Sequence, residues 1–160
     1  MSIAFIFPGQ GSQAVGMGAE LAKAYAPARA VFAEIDEALG QPLAKLMWEG
    51  PEDQLTLTEN AQPALMAVSL AGLRTLEAEK GFSLKERVSF VAGHSLGEYS
   101  ALASAGALSI ADTARLLKTR GRAMQAAVPV GQGVMAALLG AELPQAQELA
   151  KAASDGEVCA

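Results

Sequence analysis

Cysteine occurs once in the 160 residues, at Cys159, so the chain can form no intrachain disulfide and has no cysteine-rich metal site. Such usage fits a reducing compartment, and the cytoplasm is the expected location. Histidine also occurs once, at His94, which leaves a single imidazole for proton transfer near neutral pH. Basic charge is scarce: 12 Lys and Arg stand against 17 Asp and Glu, for a net charge of −5. That balance lacks the clustered positive surface that a phosphate backbone requires, so no nucleic-acid partner is expected. No apolar run approaches the ~18 residues of a membrane span, and no basic segment with a long apolar core opens the chain. Aromatic residues are only 5% of the total, yet 51% of residues are apolar, enough for a sizeable core built from alanine and aliphatic side chains. With helical spacing recurring along the chain, this composition predicts an α/β fold in which helices pack on a small sheet.

What is present is most informative at Gly93-His94-Ser95-Leu96-Gly97. The run Val88, Ser89, Phe90, Val91, Ala92 before it suits a buried strand, and residues 98–105 after it read as helix. A chain that turns sharply from strand to helix presents Ser95 at the apex, and glycines at 93 and 97 leave room for neighbouring backbone. This is the pattern of a nucleophile elbow. The competing reading is a glycine-bounded turn in which Ser95 caps the helix.

Near the start, residues 3–7 form a second apolar strand candidate that runs into Pro8-Gly9-Gln10-Gly11-Ser12-Gln13. A loop of that composition brings backbone amides close to the strand ends, where open α/β sheets bind ligands. Gly9-x-Gly11-x-x-Ala14 also fits a dinucleotide fingerprint, which requires a second strand ending in an acidic residue ~20 positions on. Instead Val31, Phe32, Ile35 and Leu39 recur at helical spacing, and the nucleotide reading fails.

Ser109-Ile110-Ala111-Asp112 reads as a capping-box start, and Ile110, Ala114, Leu117, Gly121 and Met124 follow as one apolar helical stripe. Arg120 lies beside that stripe, positioned to reach a pocket edge, while Arg122 reads as a solvated charge. The segment Val128-Pro129-Val130-Gly131-Gln132-Gly133 is the expected subdomain boundary. Beyond it a strand over 133–139, a helix over 144–153 and the beginning of a strand over 157–160 are expected.

Three motifs, Pro8-Gly9-Gln10-Gly11-Ser12-Gln13, Gln62-Pro63-Ala64-Leu65 and Gly93-His94-Ser95-Leu96-Gly97-Glu98-Tyr99-Ser100-Ala101-Leu102, closely resemble the malonyl-CoA:acyl carrier protein transacylases in order and separation. Related acyltransferase domains of fatty-acid and polyketide synthases share them. The resemblance implies an α/β hydrolase-like large subdomain, represented by its N-terminal portion over 1–128, and the truncated beginning of a ferredoxin-like small subdomain over 129–160. It implies malonyl transfer from malonyl-CoA to the phosphopantetheine thiol of acyl carrier protein, in fatty-acid biosynthesis. No cofactor or metal is implied, since the CoA thioester is substrate and the phosphopantetheine belongs to the carrier.

Carried over residue by residue, Ser95 is the nucleophile, the amides of Gln10 and Leu96 hold the oxyanion, Arg120 binds the malonyl carboxylate, and Gln62 is a further substrate-site residue. A planar, permanently charged fork suits a carboxylate better than an ammonium does. His94 neighbours Ser95 on a tight turn where successive side chains diverge, so it is read as packing beside the turn. In the resembled family the base is a later histidine, beyond residue 160, and a C-terminal remainder is the expected partner that supplies it. Carrier proteins of this kind are acidic; Lys85, Arg87, Lys118 and Arg122 are candidate docking cations, though scattered solubilising charge is the preferred reading. Two alternatives stand beside malonyl transfer: a serine hydrolase such as a thioesterase, and an inactive fragment that needs a complementary chain. Arg120 discriminates against the first, because a general esterase has no use for a cation at the acyl tail.

Overall fold

The computed structural model describes residues 2–129, 131 and 138–154. Two compact units divide the chain, Met1–Val128 and Pro129–Ala160. In the first, β1 (Ala4–Phe7) pairs in parallel with β2 (Phe90–Gly93), in the register Ala4 to Phe90 through Phe7 to Gly93. Ser89 N donates to Ile3 O at 2.9 Å and His94 N to Phe7 O at 3.1 Å, which carries the ladder past both ends. Both strands therefore end side by side, and the loop after β1 emerges next to the turn after β2.

Parallel strands need a crossover, and helices supply it. These are α1 (Ala19–Ala24), α2 (Ala26–Leu39), α3 (Leu43–Glu49), α4 (Glu52–Thr56), α5 (Thr58–Lys80) and α6 (Leu84–Arg87). After β2 come α7 (Leu96–Ser104) and α8 (Ile110–Ala127). Helix α2 spans the segment where a nucleotide fold would require a strand; it buries Ala28, Val31, Phe32 and Ile35, and Gly40 closes it at φ 60°. Helix α5 is central. Its residues from Asn60 to Ala67 are all buried, as expected of a helix packed on every side by α2, α7 and α8. Met47, Leu55, Met66, Leu70, Leu96 and Leu117 form the middle of the core.

The predicted cap of α8 is present: Ser109 Oγ accepts from Asp112 N at 3.0 Å. Ala114, Leu117 and Gly121 of its stripe are buried. Gly121 is required there, because a Cβ would collide with the Glu59 Cα across the α5–α8 crossing.

The strand expected over 88–92 runs from Phe90 to Gly93 and is not buried. Phe90 is 69% exposed, and Ile6 of β1, on the same face of the sheet, is 78% exposed. Among the described residues α7 covers only the face carrying Phe7 and Gly93, leaving Ala4, Ile6, Phe90 and Ala92 in the open. A short apolar run carries no signal for how many faces of its sheet are covered.

The second unit contains α9 (Leu143–Ala153), begun by a reciprocal bond pair between Glu142 and Gln145 with Pro144 in the first turn. This matches the helix expected over 144–153. The strands expected over 133–139 and 157–160 lie outside the described residues, except for Leu138 and Leu139, neither of which is in a strand.

Candidate active site

The turn between β2 and α7 is built by close backbone approach. A Cβ on Gly93 would strike the carbonyl of Gly97, and a Cβ on Gly97 would strike the carbonyls of Phe7 and Pro8. Two short bonds close the bend, Gly97 N to His94 O at 2.9 Å and Glu98 N to Ser95 O at 3.1 Å. Ser95 is thereby held at φ 54° and ψ −115°, the one non-glycine residue with positive φ among those described. Such a conformation costs a residue with a side chain about 1–3 kcal/mol and persists where its surroundings enforce it.

Ser95 occupies the N-cap position of α7, yet its side chain makes no capping bond. The capping reading therefore fails, and the hydroxyl is exposed and used elsewhere. Leu96 is the first residue of α7, so its amide has no intrahelical acceptor, while its side chain, 1% exposed, anchors the turn in the core.

Gly9 of the first loop lies against His94, whose Nδ1 a Cβ at position 9 would strike. The imidazole thus packs over the loop, and among the described residues it makes no hydrogen bond with Ser95. Gln10, next in the loop, accepts through Oε1 from Thr58 Oγ1 at 2.8 Å.

Arg120 reaches this same place from α8. Its Nη2 donates to Ser95 Oγ at 3.0 Å and its Nη1 to Gln62 Oε1 at 2.6 Å. Gln62 is fully buried and donates through Nε2 to Thr58 Oγ1 at 3.0 Å, with a weaker contact to Met124 Sδ at 3.4 Å. The Arg120 Cζ also stands 5.9 Å from the Tyr99 ring centroid, within range of a cation–π attraction. Ser95, Gln62, Arg120 and the Gln10 side chain, separated widely in sequence, thus share one hydrogen-bonded group.

Charge around the group is segregated. Lys118 Nζ and Arg122 Nε both lie 3.0 Å from Glu59 Oε2 on α5. Hydrogen bonds from Lys118 first, and Arg122 second, hold the Glu59 carboxyl below its usual range. Lys118 also donates to Asn60 Oδ1 at 2.8 Å and its side chain is only 10% exposed. It is a buried tie between helices, which corrects the expectation of a surface charge; Arg122 is exposed as expected, but paired. The positions 118 and 122 are four apart and share a helix face, which lets one carboxylate serve both. Among the described residues no carboxylate lies within ion-pair distance of Arg120.

Residues 4–159 match the acyl transferase domain family. The chain belongs to that family. It is 51% identical over 138 residues to the malonyl CoA-acyl carrier protein transacylase of Bacillus subtilis strain 168, covering 86% of this chain and 42% of the relative. The crystal structure of an acyl-carrier-protein-S-malonyltransferase from Bartonella henselae superposes with a TM-score of 0.91 at 54% identity, over 100% of this chain and 51% of that one. A malonyl-transacylase solved in complex with its type II polyketide acyl-carrier protein superposes with a TM-score of 0.86 at 42% identity, over 99% and 50%. The chain thus spans about half the length of the relatives it matches.

Within this acyl transferase domain, sequence reasoning missed Thr58 and Tyr99. Thr58 sits one helical turn before Gln62 and Tyr99 one turn after Ser95, so each shares a face with a residue already singled out. The i,i+4 spacing was the available signal. Among the described residues no group of three or more metal-ligating side chains gathers. The arrangement instead offers an exposed hydroxyl, a helix-start amide beside it, and a guanidinium within bonding distance.

Proposed function

We propose that this chain is the nucleophile-bearing part of an acyltransferase that moves a malonyl group from malonyl-CoA to the phosphopantetheine thiol of acyl carrier protein. One observation carries the reading: a guanidinium with no carboxylate partner among the described residues stands 3.0 Å from the Ser95 hydroxyl oxygen. Only one methylene separates the carboxylate of a malonyl group from its thioester carbonyl. A cation this close to the nucleophile suits a short dicarboxylic acyl unit, where a general esterase would have no use for it.

Ser95 Oγ attacks the thioester carbonyl and gives up its proton to a general base. The amides of Gln10 and Leu96 receive the developing oxyanion, as the strand–turn–helix bend, read here as a nucleophile elbow, allows. The C–S bond breaks, CoA leaves as the thiol, and malonyl remains as an ester on Ser95. The carrier thiol then attacks that ester, the C–O bond breaks, and the proton returns to Ser95. Arg120 holds the distal carboxylate through both halves. Its bond to Ser95 Oγ also favours the alkoxide as the proton leaves.

The base comes from outside these 160 residues in this reading, because the one histidine of the sequence packs against Gly9. A C-terminal remainder that supplies it is in keeping with relatives about twice as long. The solved complex of a relative with its carrier protein supports the carrier as partner. Residues 1–128 are read as the N-terminal portion of an α/β hydrolase-like subdomain and 129–160 as the start of a ferredoxin-like one. Among the described residues no helix is long and apolar enough to cross a membrane, and a cytoplasmic location in fatty-acid biosynthesis, without a cofactor, completes the proposal.

Intact-mass measurement tests it: after exposure to malonyl-CoA, with imidazole added as a substitute base, the chain gains one malonyl group that maps to Ser95. A malonyl adduct on another residue, or none on Ser95, rejects the assignment.

A further inference from the structure

We propose that Thr58 is a positioning residue that fixes the Arg120 guanidinium through Gln62, ties the first loop to the same group, and so contributes to the choice of acyl group. The inference rests on the reading of Arg120 as the carboxylate clamp.

The direction of the first two bonds follows from one fact: a guanidinium only donates. Arg120 Nη1 donates to Gln62, so the atom facing it is the amide oxygen Oε1. Gln62 must then turn its Nε2 toward Thr58, 3.0 Å away, and donate. The Thr58 hydroxyl accepts that bond and donates its own proton to Gln10 Oε1 at 2.8 Å. The sequence Arg120 to Gln62 to Thr58 to Gln10 is therefore a one-way relay, and bonds so aligned polarise one another in the same sense.

Gln62 has no freedom to compensate for a lost partner. It is fully buried, and among the described residues its Nε2 meets one oxygen acceptor, Thr58 Oγ1, besides the weakly accepting sulfur of Met124. Without the hydroxyl the buried amide keeps an unsatisfied donor, or it flips and presents its NH2 to the guanidinium. The second outcome expels Arg120 from its place. Thr58 touches none of the reacting groups, yet its hydroxyl decides which way the Gln62 amide points.

Three forms of the chain test this: wild type, Thr58→Val, which keeps the shape and removes the hydroxyl, and Thr58→Ser, which restores it. Each is exposed to equal malonyl-CoA and acetyl-CoA with imidazole present, and the Ser95 adducts are compared by intact mass. Thr58→Val is expected to lower the malonyl-to-acetyl ratio about tenfold, and Thr58→Ser to stay within about twofold of wild type. The Gln62 side-chain amide resonances in 1H–15N spectra should move in Thr58→Val and return in Thr58→Ser, which reports the relay independently of acylation. If Thr58→Val fails to fold, Thr58→Ala carries the same two expectations. An unchanged ratio, or Gln62 resonances that stay in place, overturns the role of Thr58. The malonyl reading fails separately if wild type shows no malonyl preference or if Arg120→Ala retains it.

Discussion

Ser95 keeps a backbone conformation that disfavours any side chain, and it keeps it because Gly93 and Gly97 allow two strand ends and a helix start to meet around it. A strained residue at a site of this kind inverts the usual order of substitutions. In a helix interior glycine costs about 1 kcal/mol relative to alanine; at position 95 we expect Ser95→Gly to be more stable than Ser95→Ala by about 1–2 kcal/mol, measured by urea unfolding. Both variants should lose the acyl adduct. Arg120 is the other residue on which the proposed function turns. Arg120→Ala should reduce malonyl acylation of Ser95 at least tenfold while changing acetyl acylation little, and Arg120→Lys should recover only part of the preference, because an ammonium cannot bond Gln62 and a carboxylate with the same planar fork. Adduct ratios by mass read both.

The crossing of α5 and α8 sets where Arg120 and Gln62 meet, and it is held by Gly121 against Glu59 and by the buried tie of Lys118 to Glu59 and Asn60. Glu59→Gln leaves the buried ammonium with neutral partners, and the expected loss of stability at pH 7 is about 1–3 kcal/mol. The pH dependence has a definite sign. Hydrogen bonds from Lys118 and Arg122 hold the Glu59 carboxyl below the ordinary glutamate range, so its contribution is full above that range and is lost as pH falls through the lower folded-state pKa. Wild type and Glu59→Gln should therefore differ at neutral pH and converge in acid, as followed by denaturant melts across that range. Gly121→Ala should separate the two helices, lower the melting temperature and weaken the malonyl preference together, since the same contact serves both.

At the scale of the molecule, parallel sheets are normally covered on both faces, and among the described residues α7 covers only one. Ile6 and Phe90 stand on the other face at 78% and 69% exposure. The expectation for function is equally concrete: the purified 160-residue chain, given malonyl-CoA and holo-carrier protein without imidazole, should show no steady turnover, and a complementing segment that carries a base should restore it. Steady turnover by the chain alone, followed by CoA release, would refute the proposal that the base lies elsewhere.

What the sequence by itself determined was local. The strand before Gly93, the helix after it, the capped start of α8 and its apolar stripe all follow from spacings within a turn or two, where neighbouring residues constrain one another directly. The identity of Ser95, Arg120, Gln62 and Gln10 as a set was legible only through the resemblance of three motifs, since nothing in their spacing brings them together. Tertiary structure alone decided that Thr58 bonds Gln10, that Lys118 is buried while Arg120 is left to face Ser95, and that Ile6 and Phe90 are exposed. Those hydrogen bonds join polar groups 25, 48 or 58 residues apart in sequence. Polar pairs at such range leave no periodicity in a sequence; they exist because folding brings the first loop, the turn before α7 and the helices α5 and α8 together.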